Sequence, residues 1–151
     1  MAANTTFTAG QVVTAAQMNN LPWGVMGTAV RTTGDLTLTT TNQDLTSMSI
    51  TFTAIAGRLY RASWSGSAQK STAAGYTQIT LADSTNALYG YSLGYTVSGN
   101  YVNLSGVSVI SGLTAGSKTF KLRGITENNT AVLLAGGTAP LQFMIEDMGA
   151  A

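Results

Sequence analysis

The chain holds few side chains able to do acid–base or nucleophilic chemistry. Its six carboxylates are Asp35, Asp44, Asp83, Glu127, Glu146 and Asp147. Glycoside cleavage needs two carboxyl groups about 5–9.5 Å apart. Glu146 and Asp147 are neighbours, and a strand sends neighbours to opposite faces, so they make no such pair. The other four lie beside turn residues, where a carboxylate ordinarily caps a turn. A depolymerase therefore remains only as a reading in which the fold assembles a pair from distant residues. Histidine is absent, and with it the usual general base and zinc ligand. Cysteine is absent too, which removes thiolate catalysis, disulfides and cysteine metal sites. A Ser–Lys dyad would need Lys70, Lys118 or Lys121 buried, and all three lie in polar stretches. Gly116-Ser117-Lys118 lacks the strand–GxxxxGK[ST]–helix frame of a phosphate loop. The chain reads as a non-enzyme without metal or cofactor.

The aromatic residues carry more. "ALYGYSLGYTV" places Tyr89, Tyr91, Leu93 and Tyr95 at strand spacing on one face. Tyrosines on a sheet stack against sugars or pack in protein interfaces, and otherwise fill a core. Those readings stay open, with Tyr76 and Tyr101 as further candidates for glycan contact. Arg58 and Arg61 flank Tyr60, where a rim salt bridge is expected. Asn4, Asn103 and Asn128 match the glycosylation pattern, but a chain this rich in Asn, Ser and Thr produces such matches by chance.

With 151 residues, 44% of them hydrophobic, the chain is sized for one domain with one core. Only 9% are charged, against roughly 25% in an ordinary domain. Its surface must therefore be made of Thr, Ser, Asn and Gly, which are cheap to dehydrate against other protein. A net charge of +1 gives no footprint for nucleic acid. No run reaches the roughly 18 apolar residues of a membrane span, so membrane insertion is not expected. The opening "MAANTTFTAG" has neither the basic start nor the apolar run of a signal peptide.

Positioning falls to strands. Thr14 is the expected N-cap of a short helix over "AAQMNN", which Pro22 stops. From Val25 the period becomes two. Leu36 and Leu38, then Met48, Ile50 and Phe52, alternate with hydroxyl residues. Tyr60, Ala62 and Trp64 share a face, as do Ile79 and Leu81, Phe120 and Leu122, and Leu141, Phe143 and Ile145. Eight to ten short strands at spacings of about 8–12 residues predict an all-β, antiparallel sandwich, best a two-sheet jelly roll. No second domain or internal repeat is visible. Residues 1–24 are expected to form an extended and helical arm, and residues 25–151 the sandwich.

"FTAGQVVTAAQMNNLPWGVMG" resembles the N-terminal segment of tail and head-fibre proteins of tailed bacteriophages, especially those infecting actinobacteria. Phe7, Ala9, Gly10, Val13, Thr14, Ala15, Ala16, Met18 and Asn19 match its pattern, F-x-A-G-x-x-[LV]-T-A-A-x-[MLV]-N. The closing "APLQFMIEDMG" is similar to the last strand of the same proteins, which ends in Glu-Asp-x-Gly. "DLTSMSITFTAIAGRLYRASWSG" looks like the strand pair opening their head domains, which resemble the trimeric jelly rolls of the tumour-necrosis-factor and complement families. The resemblance implies a virion structural protein on the capsid or tail surface, a homotrimer bound to other virion proteins. It implies anchoring through Phe7, Val12, Val13, Met18, Leu21 and Trp23. It implies a trimer interface including Tyr60, Trp64, Tyr89, Tyr91, Tyr95 and Phe143. No coiled-coil or collagen-like shaft is present, which favours a knob seated close to the particle. The alternative is a receptor-binding module recognising host surface glycans.

Overall fold

The computed structural model describes residue 12 and residues 14–70, 73–136 and 139–151. Alternation of Thr and Ser with apolar residues makes nearly all of it strand. Helix α1 spans Ala15–Asn19. The strands are β1 Gly24–Arg31, β2 Leu36–Leu38, β3 Gln43–Ala54, β4 Arg58–Lys70 and β5 Gly75–Asp83. They continue as β6 Leu88–Thr96, β7 Tyr101–Ile110, β8 Gly116–Thr126, β9 Ala131–Leu134 and β10 Leu141–Ala150.

Two antiparallel sheets form a jelly-roll sandwich. The first runs β1-β10-β4-β9-β2, with β7 also paired to β4, and the second runs β3-β8-β5-β6. The long β4 organises the first sheet. One edge pairs with β10 over residues 58–65 and then with β9 over residues 67–70, while the other edge pairs with β7. At the changeover sits Gly66, where a Cβ would meet Leu141 Cδ1 at 2.6 Å.

The inner faces supply one core. Tyr60, Trp64, Leu104, Leu133, Phe143 and Ile145 come from the first sheet, and Met48, Ile50, Phe52, Ile79, Phe120 and Leu122 from the second. Phe52 bridges Tyr60 and Phe120, with ring centroids 5.0 and 6.2 Å away. The Tyr60 hydroxyl accepts the Ile55 N–H at 2.8 Å, so its polar end is satisfied. Trp64 Nε1 donates to Ser92 Oγ across the sandwich at 2.9 Å, and Gly106 leaves room for the indole on β7.

This core corrects the expected subunit interface. Tyr60, Trp64 and Phe143 are buried within one chain, because the second sheet already covers the inner face of β4 and β10. Tyr89 departs from the tyrosine stripe as well. The β5–β6 register pairs Leu81 with Gly90 but Ala82 with Leu88, which leaves Tyr89 as the extra residue of a bulge. It turns inward and meets Phe120 edge-on at 5.0 Å. Tyr91, Leu93 and Tyr95 stay on the outer face and are exposed.

Candidate interaction surfaces

Three surfaces are built by these elements. The first is the joint between α1 and the sandwich. Thr14 caps α1 as expected: its hydroxyl accepts the Gln17 N–H at 3.2 Å, and Gln17 Oε1 accepts the Thr14 N–H at 2.9 Å. The far end of α1 is held by Arg58, which starts β4. Its guanidinium grips Asp147 with two bonds, Nε to Oδ2 at 2.6 Å and a terminal nitrogen to Oδ1 at 2.7 Å. The same group donates to the carbonyls of Asn19 and, at 2.6 Å, Leu21. These are orphan carbonyls of a helix end, where a cation is also favoured by the dipole. The Trp23 ring covers the guanidinium, 4.9 Å from centroid to Arg58 Cζ. Asp147 Oδ1 also accepts the Gly149 N–H at 2.7 Å, and the Ala150 N–H reaches Asn20 O at 3.2 Å. Gly149 is required there: its φ is +102, and a Cβ would lie 2.9 Å from Asn20 O.

Of the expected anchoring residues, Phe7 and Val13 lie outside the described residues. Val12, Met18 and Trp23 are exposed and Leu21 is half-buried. Arg58 corrects the expectation of a rim salt bridge: it is buried and pairs with Asp147, a joint that sequence reasoning missed. The signals were present in pieces: a lone arginine after Gly57, and the Asp and Gly of the closing Glu-Asp-x-Gly. Glu146 faces the other way and makes the expected rim salt bridge with Arg61 at 2.7 Å.

The second surface is the outer face of the first sheet. The register lines up Val30, Gln142, Ser65 and Ser105 in one row and Thr28, Met144, Ser63 and Val107 in the next. Small serines on β4 and β7 between bulkier neighbours leave a shallow, uncharged trough of about 620 Å³. Val30 at 54% and Val107 at 66% exposure flank it uncovered.

The third surface is the outer face of the second sheet. Tyr76 pairs with Tyr95 in the register, and their rings meet edge-on at 5.1 Å. Beside them is a cleft of about 260 Å³ lined by Tyr76, Gln78, Leu93, Ile125, Thr126 and Glu127. Glu127 accepts the Tyr76 N–H at 3.0 Å. Toward β3 the face becomes ionic, with Asp44 bridging Lys121 at 2.7 Å and Arg123 at 2.9 Å. The Lys121 bond, ahead of the opposing pull of burial, holds the Asp44 carboxyl below its ordinary value. Tyr101 is exposed on the outer face of β7, in the other sheet, so the structure does not bring it to Tyr76.

Among the described residues no three carboxylates gather where a metal ion could sit. Lys70 corrects the expectation of a solvated amine: it is buried, and its Nζ donates to Asn128 Oδ1 at 2.6 Å. Burial pushes its pKa down, and Glu127 partly opposes this.

Strand order and register define the class of protein: an antiparallel jelly-roll sandwich. No family model matches the chain, and no curated protein matches it. Several solved structures are similar in fold. The globular domain of zebrafish complement 1qA protein aligns at 10% identity and TM-score 0.45, over 83% of this chain and 95% of that one. The baseplate tripod of bacteriophage Tuc2009 aligns at 13% identity and TM-score 0.43, over 99% and 79%. The VP2 protein of infectious bursal disease virus aligns at 13% identity and TM-score 0.42, over 85% of this chain but 36% of that one.

Proposed function

We propose that this chain is a structural protein of a phage virion surface, a homotrimeric knob tied to the particle by residues 1–24. The observation that carries the reading is the Arg58 joint. A buried arginine fixes the end of α1 to the last strand, so the helix is held against the sandwich. The apolar side chains of Val12, Met18 and Trp23 then stand exposed, as a segment that docks on another protein requires. The match of residues 7–19 to phage fibre segments supports the same reading. The three-fold contact is assigned to the trough on the first sheet, which replaces the buried aromatics as the self-association face. Three copies of one modest arm contact sum to firm attachment. The test is deletion of residues 2–23, followed by purification of particles. The truncated protein should fold but be missing from the particle; normal incorporation would refute the anchor.

A further inference from the structure

Three tyrosines on the second sheet are used neither by the core nor by the joint. Tyr76, Tyr91 and Tyr95 are 45, 60 and 56% exposed, although each ring is large enough to have been buried. The bulge that turns Tyr89 inward leaves the other three outward. Tyr76 and Tyr95 form an edge-to-face pair on adjacent strands, so their rings are held in place rather than free to rotate. Tyr91 lies four residues from Tyr95 on β6, about 13–14 Å along the strand. The space between is floored by Leu93 and opens on the cleft beside Gln78 and Glu127.

We infer that this face binds a neutral saccharide, with Tyr76 and Tyr95 as the stacking platform and Gln78 and Glu127 as partners for sugar hydroxyls. Three features select a sugar over a protein. The aromatic strip covers β5 and β6 only and gives way to the Asp44–Lys121–Arg123 ionic cluster on β8 and β3. Strands about 4.8 Å apart make such a strip too narrow for a protein interface core of about 800 Å² per partner. The polar groups are the kind hydroxyls need. The Gln78 side chain has no hydrogen-bond partner among the described residues, and Glu127 engages one carboxylate oxygen, on the Tyr76 N–H. The cleft is also concave, at about 260 Å³. A pyranose offers a flat C–H face to a tyrosine and equatorial hydroxyls at its edge. The nearest charged group is the Glu127 carboxylate, which disfavours an anionic sugar.

The test uses the full-length protein and three neutral probes, cellohexaose, chitohexaose and mannohexaose, titrated by calorimetry and by chemical shift. At least one should bind with a Kd on the order of 1 mM. Tyr76→Ala and Tyr95→Ala should each weaken that binding about tenfold, the effect of losing one aromatic contact. Tyr101→Ala, exposed on the other sheet, should leave it unchanged. No binding of any probe at about 10 mM would overturn the inference. So would equal binding by Tyr76→Ala and Tyr95→Ala, or an equal loss in Tyr101→Ala. Because the titration needs no particle, the saccharide site and the virion anchor can each fail alone.

Discussion

Arg58 and Asp147 are each almost completely buried, yet the pair is well satisfied: one guanidinium serves a carboxylate and two helix-end carbonyls. Asp147→Asn leaves a buried cation without its counter-charge and should lower stability by about 3–5 kcal/mol in urea unfolding. The double change Arg58→Met, Asp147→Leu removes the unpaired charge but strands the Asn19 and Leu21 carbonyls and the Gly149 N–H, so it should recover only part of that loss. A loss below about 1 kcal/mol in the single variant would mean that water reaches the guanidinium. Titration should show three further residue effects, each raising stability as pH rises through its own range. Asp44 is held below its ordinary value of 3.8 chiefly by Lys121. Burial raises Asp83, but bonds from the Thr85 hydroxyl and the Ala87 and Thr85 N–H groups outweigh it and bring it below 3.8. Both contributions are present above 3.8 and are lost as pH falls through the folded values, so the melting temperature should drop there. High salt should mute the Asp44 part, which is solvent-facing. Lys70 is depressed below 10.5 by burial, so between its folded value and 10.5 the unfolded chain binds more protons. Its contribution should therefore rise with pH across that window, and Lys70→Met should lack the rise.

Among elements, β4 is the hinge of the design, because it serves three partners and its Trp64 locks the two sheets together. Gly106 on β7 lies directly against the indole, and Trp64 cannot swing aside without losing Ser92. Gly106→Ala should cost about 1–3 kcal/mol by overpacking, read as a lowered melting temperature. Ser92→Ala frees the indole, so the two changes together should cost less than their sum. Strand existence was legible because polar residues alternate with apolar ones, Thr and Ser on β3 and Lys and Arg on β8. The Thr14 cap was legible because a capping box is local, Thr14 and Gln17 being three residues apart. Parity alone, however, cannot say which outward or inward face is which once a strand is amphipathic on both sides. Tyr60, Trp64 and Phe143 were expected at the subunit interface, and the covering sheet makes them core. Tyr89 was misplaced because a bulge depends on the partner strand, which a single strand's sequence does not reveal. The Arg58 joint was hidden by distance: its partners lie 89, 39 and 37 residues away in sequence.

On the scale of the whole molecule, the sandwich divides its labour by face. The joint occupies one end, the neutral trough one broad side and the tyrosine strip the other. A trough without charge suits burial against a neighbouring copy, because no charge has to be desolvated there. The Arg61–Glu146 pair at its border is neutral overall and does not break that rule. A stable contact needs about 800 Å² from each copy, and the exposed Val30 and Val107 at the two sides of the trough add apolar area to it. Val107→Arg places a cation on that face in every copy and should convert the proposed trimer to monomers in sedimentation velocity. Its melting profile as a monomer should still be cooperative, because Val107 faces away from the core. The same variant should enter particles poorly although its arm is intact, since one arm replaces three in the attachment. A Val107→Arg variant that still sediments as a trimer would refute the trough as the contact between copies.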